Sequence, residues 1–531
     1  MGRLLLVILI LFFGEQTLLA QEVVTLPNVQ TPNGQAEAFA KPPAEPPGPT
    51  YGSIINQMYI EDLRIAAQNS WRHGLNPNAY WTAEMERVFR TGGDYSRWLK
   101  PHANERYLKL AMDVYTGAID PSWVGSDIKV MRKSFLTSKQ FQALVLANGN
   151  RADNVIEALA SQSPPYKSLQ AALQKFYPAC KDGSWGQVYT PKKALKVGRM
   201  DPTIPSIKAR LAFLGYSISN MNEVFDQQML AAVADLQWTL KFKPDGIISP
   251  RGPTMRYLQE PCLNRVHQIQ ADMEKLRWFP SSFDERYIFV NTSFSYFALV
   301  DKNVESPISM SFKVINGRAE RKTPTMKDRL VQVVLNPFWV VPPTIFYEDK
   351  VEDLKWLTPN QVRAYFNEHN YEAWNEGFTR KLDPGSINWW AMTPDMDKTV
   401  NIRQRPHLGN ALGIVKFQLT NYFSIYLHDT NQRELFAEPK RQLSSGCVRL
   451  EKPIDIAEYL LRGTEWTRAK IEATVAKPGE VMDRSTKIDL KNPIPVYLIP
   501  LTSQLTSDGV MRFSEDLYDH NDTILYYVGG L

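Results

Sequence analysis

The spacing of apolar residues changes once along this chain, and the change divides it into two kinds of structure. From Tyr51 to Leu276 apolar side chains recur three and four apart, as in Ile54-Ile55-Met58-Tyr59, Tyr107-Leu108-Leu110-Ala111 and Val155-Ile156-Leu159. That period lays them on one stripe of a helix. From Tyr287 onward the texture is that of strands. Tyr287-Ile288-Phe289-Val290 and Tyr296-Phe297-Ala298-Leu299-Val300 are β-branched and aromatic, and Met310 to Ile315 alternates before an Asn316-Gly317 turn. Arg329–Leu335, Ile414–Leu419 and Ser424–Leu427 continue the pattern. At 531 residues the chain is too long for one core, so two to four domains are expected.

Composition narrows the class. With 44% hydrophobic and 22% charged residues the chain is globular. A formal charge of +5 is small for this length and no Lys/Arg run stands out, which argues against nucleic acid as a partner. Arg3 followed by the apolar run Leu4–Phe13 and by Leu19-Ala20 reads as a signal peptide over residues 1–20, because so short a run falls below the about twenty residues a spanning helix needs. An uncleaved anchor is the rival reading, and both place the bulk of the chain outside the cytoplasm, in the periplasm. Residues 21–50 are proline-rich and read as a tether. There are three cysteines and no C-x-x-C pair, so neither a zinc ribbon nor a thioredoxin-like redox motif is available. In an oxidising compartment two cysteines can pair and leave one thiol. Cys180 and Cys262 flank a compact module and are the expected bridge, with two buried thiols as the alternative.

The chemistry concentrates between His428 and Arg449. One histidine and one cysteine, nineteen residues apart, flank a loop ending in Ser444-Ser445-Gly446-Cys447-Val448-Arg449. A thiol is a nucleophile only as the thiolate, and a nearby imidazole can take its proton and return it to a leaving amine. Cys447 is therefore the candidate nucleophile and His428 the candidate base. The small residues Ser445 and Gly446, with Cys447 itself, can turn their N–H groups toward an oxyanion, each worth about 3 kcal/mol. Ser444, Arg449 and Tyr426 are candidate substrate contacts. Tyr426 lies two before His428, on the same strand face, and Arg449 stands either to orient a carboxylate or to close a structural ion pair. Asp429 follows His428 directly and should face the other way, so it is not expected to orient the imidazole. His407 and His73 read as local structure, His73 in an exposed turn. A buried, inert cysteine beside a hydrogen-bonded histidine is the bland reading of the same residues.

This block resembles the signature of the YkuD-type L,D-transpeptidases, in which a histidine precedes an S/T-x-G-C-x-R/N segment. Arg403–Phe417 and Leu335–Ile345 resemble further segments of the large periplasmic YcbB-like branch. The resemblance implies a multidomain α+β protein. It would comprise a helical scaffold (51–190), a three-helix peptidoglycan-binding-like module (195–262) and a linking helix (263–280). A mostly antiparallel β-sandwich catalytic domain (281–531) would follow, with a helical capping insertion at about 347–401. Ser249-Pro250-Arg251 displaces the Gly-Pro that usually closes the module, which puts its glycan binding in question. The resemblance also implies a backbone carbonyl as the orienter of His428 and acylation of Cys447 by peptidoglycan stem tetrapeptides. D-alanine would be released and 3→3 crosslinks formed, with inhibition by carbapenem-type β-lactams and no metal or organic cofactor. Hydrolysis or exchange on the same stems, or a non-catalytic wall-binding scaffold, are the alternatives. An NlpC/P60-type peptidase is disfavoured because its cysteine precedes its histidine. A zinc carboxypeptidase is disfavoured because the seven histidines contain no H-E-x-x-H.

Overall fold

A computed structural model describes residues 49–302, 308–394 and 399–531. The expected signal peptide and residues 21–48 of the tether lie outside the described residues. Among the described residues no helix is long and apolar enough to cross a membrane. The first half is helical as its periodicity requires, with Lys100–Thr116, Pro164–Asp182 and Cys262–Arg277 the longest helices. Pro164-Pro165, read from sequence as the close of a helical segment, instead opens the helix Pro164–Asp182. A first-turn N–H has no intrahelical partner, so proline costs nothing there. His73 is buried, not exposed: it ends the 3₁₀ turn Asn69–His73, with Nδ1 at 3.3 Å from the Tyr166 hydroxyl.

The helices Ile204–Phe213, Gln227–Thr239 and Pro253–Leu258 form a small module. Asp226 caps the second by accepting from the Met229 N–H at 2.9 Å. The buried Gln237 side chain accepts the N–H groups of Asp245 and Gly246 and so holds the Asp-Gly turn. Gly215 ends the first helix at φ +103°, where a Cβ would meet the Gly509 carbonyl at 2.2 Å. Only glycine fits there.

The helix Cys262–Arg277 carries four fully buried charges, Asp272, Glu274, Lys275 and Arg277. Lys275 meets Asp272 at 3.1 Å and Arg277 meets Glu274 at 2.6 Å. Asp272 also accepts from Ser503, Lys275 reaches the Pro500 carbonyl and Asn521, and Glu274 accepts from the Ala118 N–H. Buried charges persist only when paired and hydrogen-bonded, and removing one partner costs about 3–5 kcal/mol. This helix therefore pins the helical half and the C-terminal segment to one another.

The second half is built on a nine-stranded sheet. Its first strands are β1 (Arg286–Asn291), β2 (Tyr296–Asp301), β3 (Ile308–Gly317) and β4 (Met326–Leu335). An inserted layer follows: β5 (Trp339–Val340), β6 (Tyr371–Asn375), β7 (Lys381–Leu382) and β8 (Val400–Gln404). The main sheet resumes with β9 (Val415–Leu419), β10 (Leu427–His428), β11 (Gln442–Ser444), β12 (Val448–Leu450) and β13 (Thr486–Ile499), and β14 (Ser503–Leu505) and β15 (Met511–Phe513) form a hairpin. Strand order is β11-β3-β12-β10-β9-β4-β13-β1-β2, with β2 also paired to β3. The sheet thus closes on itself, and the two layers expected of a sandwich are continuous. Most pairs are antiparallel, but β1–β13, β10–β12 and β3–β11 are parallel. Ile288, Val290, Phe297, Val333, Phe417, Leu427, Val448 and Val496 fill the interior.

The aromatic interval after β4 contains the expected helices, including Pro359–Glu368 with its Thr358/Gln361 capping box. It adds a sheet of its own, β5-β8-β6-β7, packed on Trp339, Phe346, Phe366 and Trp389.

Cys180 and Cys262 are disulfide-bonded, with Cα atoms 5.4 Å apart, and Cys447 is the free cysteine. The bond closes a long loop around the small module, a separation of 82 residues. Replacing both bridged cysteines by serine should lower unfolding free energy by about 2–5 kcal/mol in denaturant titration. Alkylation of the folded wild type without reductant should add mass at Cys447 alone.

Candidate active site

Two short strands decide which side chains meet. β10 and β12 run parallel with Leu427 opposite Val448 and His428 opposite Arg449. Neighbours across a sheet share a face and successive residues alternate. Leu427 and Val448 point into the core, so Tyr426, His428, Cys447 and Arg449 share the opposite face. All four line one cleft of about 730 Å³, walled by Trp339 and Tyr371 from the insertion and by Phe423. Ser444 and Ser445 line the same cleft. A separate cavity of about 500 Å³ beside Trp238 and Tyr287 contains neither cysteine nor histidine.

The loop before Cys447 is folded on itself. The Ser444 hydroxyl donates to the Cys447 carbonyl at 2.6 Å and accepts the Gly446 N–H at 3.2 Å. Gly446 has φ +112°, a conformation that favours glycine. Its N–H is therefore already committed, which removes it from the oxyanion donors expected from sequence. The N–H groups of Ser445 and Cys447 remain for that role. Ser444 likewise serves the loop's own geometry. Two residues of the β3–β4 connection brace the loop from outside. Thr323 donates to the Gly446 carbonyl at 2.7 Å, and the Tyr518 hydroxyl accepts the Thr323 N–H at 3.1 Å. The Arg321 guanidinium contacts the Ser445 hydroxyl at 3.0 Å while gripping Asp349 and Glu348 of the insertion, each at 2.6 Å. Arg321 and Thr323 reach the loop, and Tyr518 reaches Thr323, across more than a hundred residues each, and no local pattern marks them.

His428 is buried, and its Nδ1 is shielded from solvent with no hydrogen-bond partner among the described residues, so the backbone-carbonyl orienter expected from sequence is not engaged in this conformation. Nε2 is the ring nitrogen left to face the cleft. The Asp429 carboxylate points away, accepting the Ile414 N–H at 3.0 Å and Arg433 at 2.6 Å, as strand alternation requires. His407 donates its Nδ1–H to the Arg405 carbonyl, 2.9 Å away, and does not line the cleft. Arg449 meets no carboxylate among the described residues. Its recorded partner is the neutral Gln432 side chain at 2.8 Å, which leaves the ion-pair alternative without a counter-ion.

Burial drives the imidazole of His428 down to about 3, with the charges of Arg449 and Lys416 acting the same way. Burial pushes the Cys447 thiol above its ordinary value, although the Tyr426 N–H and Lys416 favour the thiolate. The pair therefore rests as neutral thiol and neutral imidazole. The thiol faces the Ser424 carbonyl at 3.5 Å and makes no hydrogen bond to His428 in this conformation. Such bonds commonly tighten only as the substrate is engaged. The arrangement can perform general-base-assisted attack by sulfur on a carbonyl, with cations nearby to receive an anionic group. Among the described residues no cluster of three or more histidine, cysteine or acidic side chains could hold a metal ion.

Comparison with known proteins bears on this site directly. Residues 285–474 match the family model described as "L,D-transpeptidase catalytic domain" (YkuD). Residues 55–173 match a "Scaffold domain" and residues 201–251 a "Putative peptidoglycan binding domain". A curated protein of Haemophilus influenzae, described as "Putative L,D-transpeptidase", is 32% identical over 266 residues, covering 49% of each chain. The chain thus spans about half the length of the curated relative it matches. The crystal structure of an L,D-transpeptidase from Stackebrandtia nassauensis is 12% identical, covering 59% of this chain and 97% of that one at a TM-score of 0.20. Another, from Xylanimonas cellulosilytica, is 11% identical, covering 58% and 97% at 0.18. TM-scores this low say nothing further about the arrangement.

A resting thiol has a measurable signature. The rate of Cys447 alkylation by iodoacetamide should climb steadily with pH and still be rising past 9.0. A plateau at neutral pH, the mark of a preformed thiolate–imidazolium pair, should be missing.

Proposed function

We propose that this chain, which carries a YkuD-family L,D-transpeptidase catalytic domain and a peptidoglycan-binding domain, is a peptidoglycan-modifying enzyme acting through a Cys447 thioester. The observation that carries the reading is the shared face of Tyr426, His428, Cys447 and Arg449 in one open cleft. In the reaction a stem tetrapeptide presents its carboxyl-terminal L,D-peptide bond to the sulfur. His428 takes the thiol proton as the S–C bond forms, and the developing oxyanion faces the N–H groups of Ser445 and Cys447. The C–N bond then breaks, His428 returns the proton to the departing amine, and free D-alanine leaves. An amine of a second stem attacks the thioester carbon and gives a proton to His428, the C–S bond breaks, and His428 passes that proton to the departing sulfur to regenerate the thiol. The product is a 3→3 crosslink.

Hydrolysis and exchange share the thioester and differ only in the acceptor, so they are outcomes of the same assay. A non-catalytic scaffold would keep the wall contacts and lose the chemistry. The intact Ser444–Arg449 loop, with its braces, favours the enzyme. Carbapenem-type β-lactams acylate the same sulfur in this reading, and the site of action is outside the cytoplasm, in the periplasm.

Incubating the purified protein with tetrapeptide stems should yield a Cys447 adduct by mass spectrometry and dimeric muropeptides by chromatography. Cys447→Ala should abolish both, and His428→Gln should slow acylation about 10²–10⁴-fold. Unchanged crosslinking by Cys447→Ala would remove the proposal.

A further inference from the structure

His428 stands between two cations on the cleft face, and only one of them was singled out from sequence. Across β10–β12 its neighbour is Arg449, and across β9–β10 it is Lys416. The Lys416 ammonium lies 4.1 Å from the centre of the Tyr426 ring. Among the described residues no carboxylate lies within ion-pair reach of it. Arg449 shares this lack of a carboxylate, whereas other half-buried cations around the cleft are neutralised: Arg321 by Glu348 and Asp349, Arg403 by Glu372, and Lys350 by Asp353.

Lys416 also faces usable space. It lines two cavities of about 330 and 340 Å³ beneath the insertion. The first shares Ser424 and Tyr426 with the cleft that contains Cys447, so the two are neighbours across one tyrosine. Withdrawing an ammonium from water without a counter-ion is costly, and an anionic ligand that enters the cavity offsets the cost. A charge-assisted hydrogen bond to that ligand is stronger than a neutral one.

Resting on the transpeptidase reading, we propose that Lys416, seated on the Tyr426 ring, receives the free α-carboxylate of the residue that departs from the donor. That carboxylate is one residue removed from the scissile carbonyl. The sulfur and the ammonium lie in neighbouring cavities that share Tyr426, so one extended donor end can reach both. Lys416 is thus a specificity residue. It makes the site select a bond at the end of a peptide over the same bond within a longer one. The step involves no covalent change at Lys416, and the carboxylate leaves with the free amino acid.

The test swaps the charge on the substrate. Wild type, Lys416→Met and Lys416→Arg are each assayed for Cys447 acylation by a tetrapeptide donor as the free acid and as its carboxyl-terminal amide. Methionine keeps an aliphatic stem over the tyrosine ring. Wild type should favour the acid by about 10- to 100-fold in kcat/KM. Lys416→Met should bring that preference close to one, chiefly through KM for the acid, and Lys416→Arg should restore most of it. A merely structural role would depress both donors alike. A Lys416→Met enzyme that keeps the acid preference would overturn the proposal. So would a wild type indifferent to the amide, or a preference that disappears in Arg449→Met instead. Absence of Cys447 acylation in wild type with either donor would overturn the transpeptidase reading as well, and is thereby told apart from the rest.

Discussion

The register between β10 and β12 is the constraint on which the site depends. Two residues of parallel pairing set His428 beside Arg449 and bring Tyr426 level with Cys447. Side chains alternate along a strand, so a slip of one residue would turn the sulfur into the core and present Val448 to solvent. Strands this short cannot hold a register alone. β9 fixes β10 from one side, with Leu427 opposite Phe417, and β3 fixes β12 from the other, with Arg449 opposite Ile315. Because β2 closes onto β3, neither side is a free edge. The large closed sheet is what makes a four-residue motif reliable.

Electrostatics explains why such a site can be kept without damage to itself. A permanent thiolate in an open cleft would be oxidised or alkylated, whereas burial holds Cys447 as the thiol and His428 as the neutral base. In the proposed reaction the surrounding positive charges, Lys416 and Arg449, would favour an anionic substrate and lower the cost of negative charge developing on oxygen. The insertion contributes through Arg321, whose grip on Asp349 and Glu348 ties the roof of the cleft to Ser445 of the loop.

Much of this was legible in the sequence where the determinant is local. Cys447 and His428 announce themselves by residue type and spacing, Tyr426 follows from strand alternation, and Asp429 is excluded by the same rule. The helical first half and the strands after Tyr287 follow from period alone. The bridge between Cys180 and Cys262 followed from compartment and position. What escaped was set by contacts between distant segments or by local turn geometry that no residue pattern reveals. The commitment of the Gly446 N–H to Ser444 depends on a turn whose φ no pattern reveals. His73 is buried because the carbonyl of that residue accepts from Arg277, some two hundred positions later. The sheet inside the insertion was hidden by its aromatic residues, which suit helix and strand equally. Pro164 was misread because proline both stops helices and opens them: the preceding helix already ends at Leu159, and Pro164 sits in the first turn of the next.

The place of β13 has a practical consequence. It lies in mid-sheet, antiparallel to β4 and parallel to β1, yet it is contributed by Thr486–Ile499, beyond the span 285–474 that the catalytic family model covers. Tyr518, which steadies Thr323 behind the loop, comes later still. A shortened version cut at residue 474 would have its wall split open, with two rows of bare amides and carbonyls inviting partners from other molecules. Anyone trimming this protein for crystallisation or display must carry the tail along, since the reactive centre and the seam that seals it are encoded far apart.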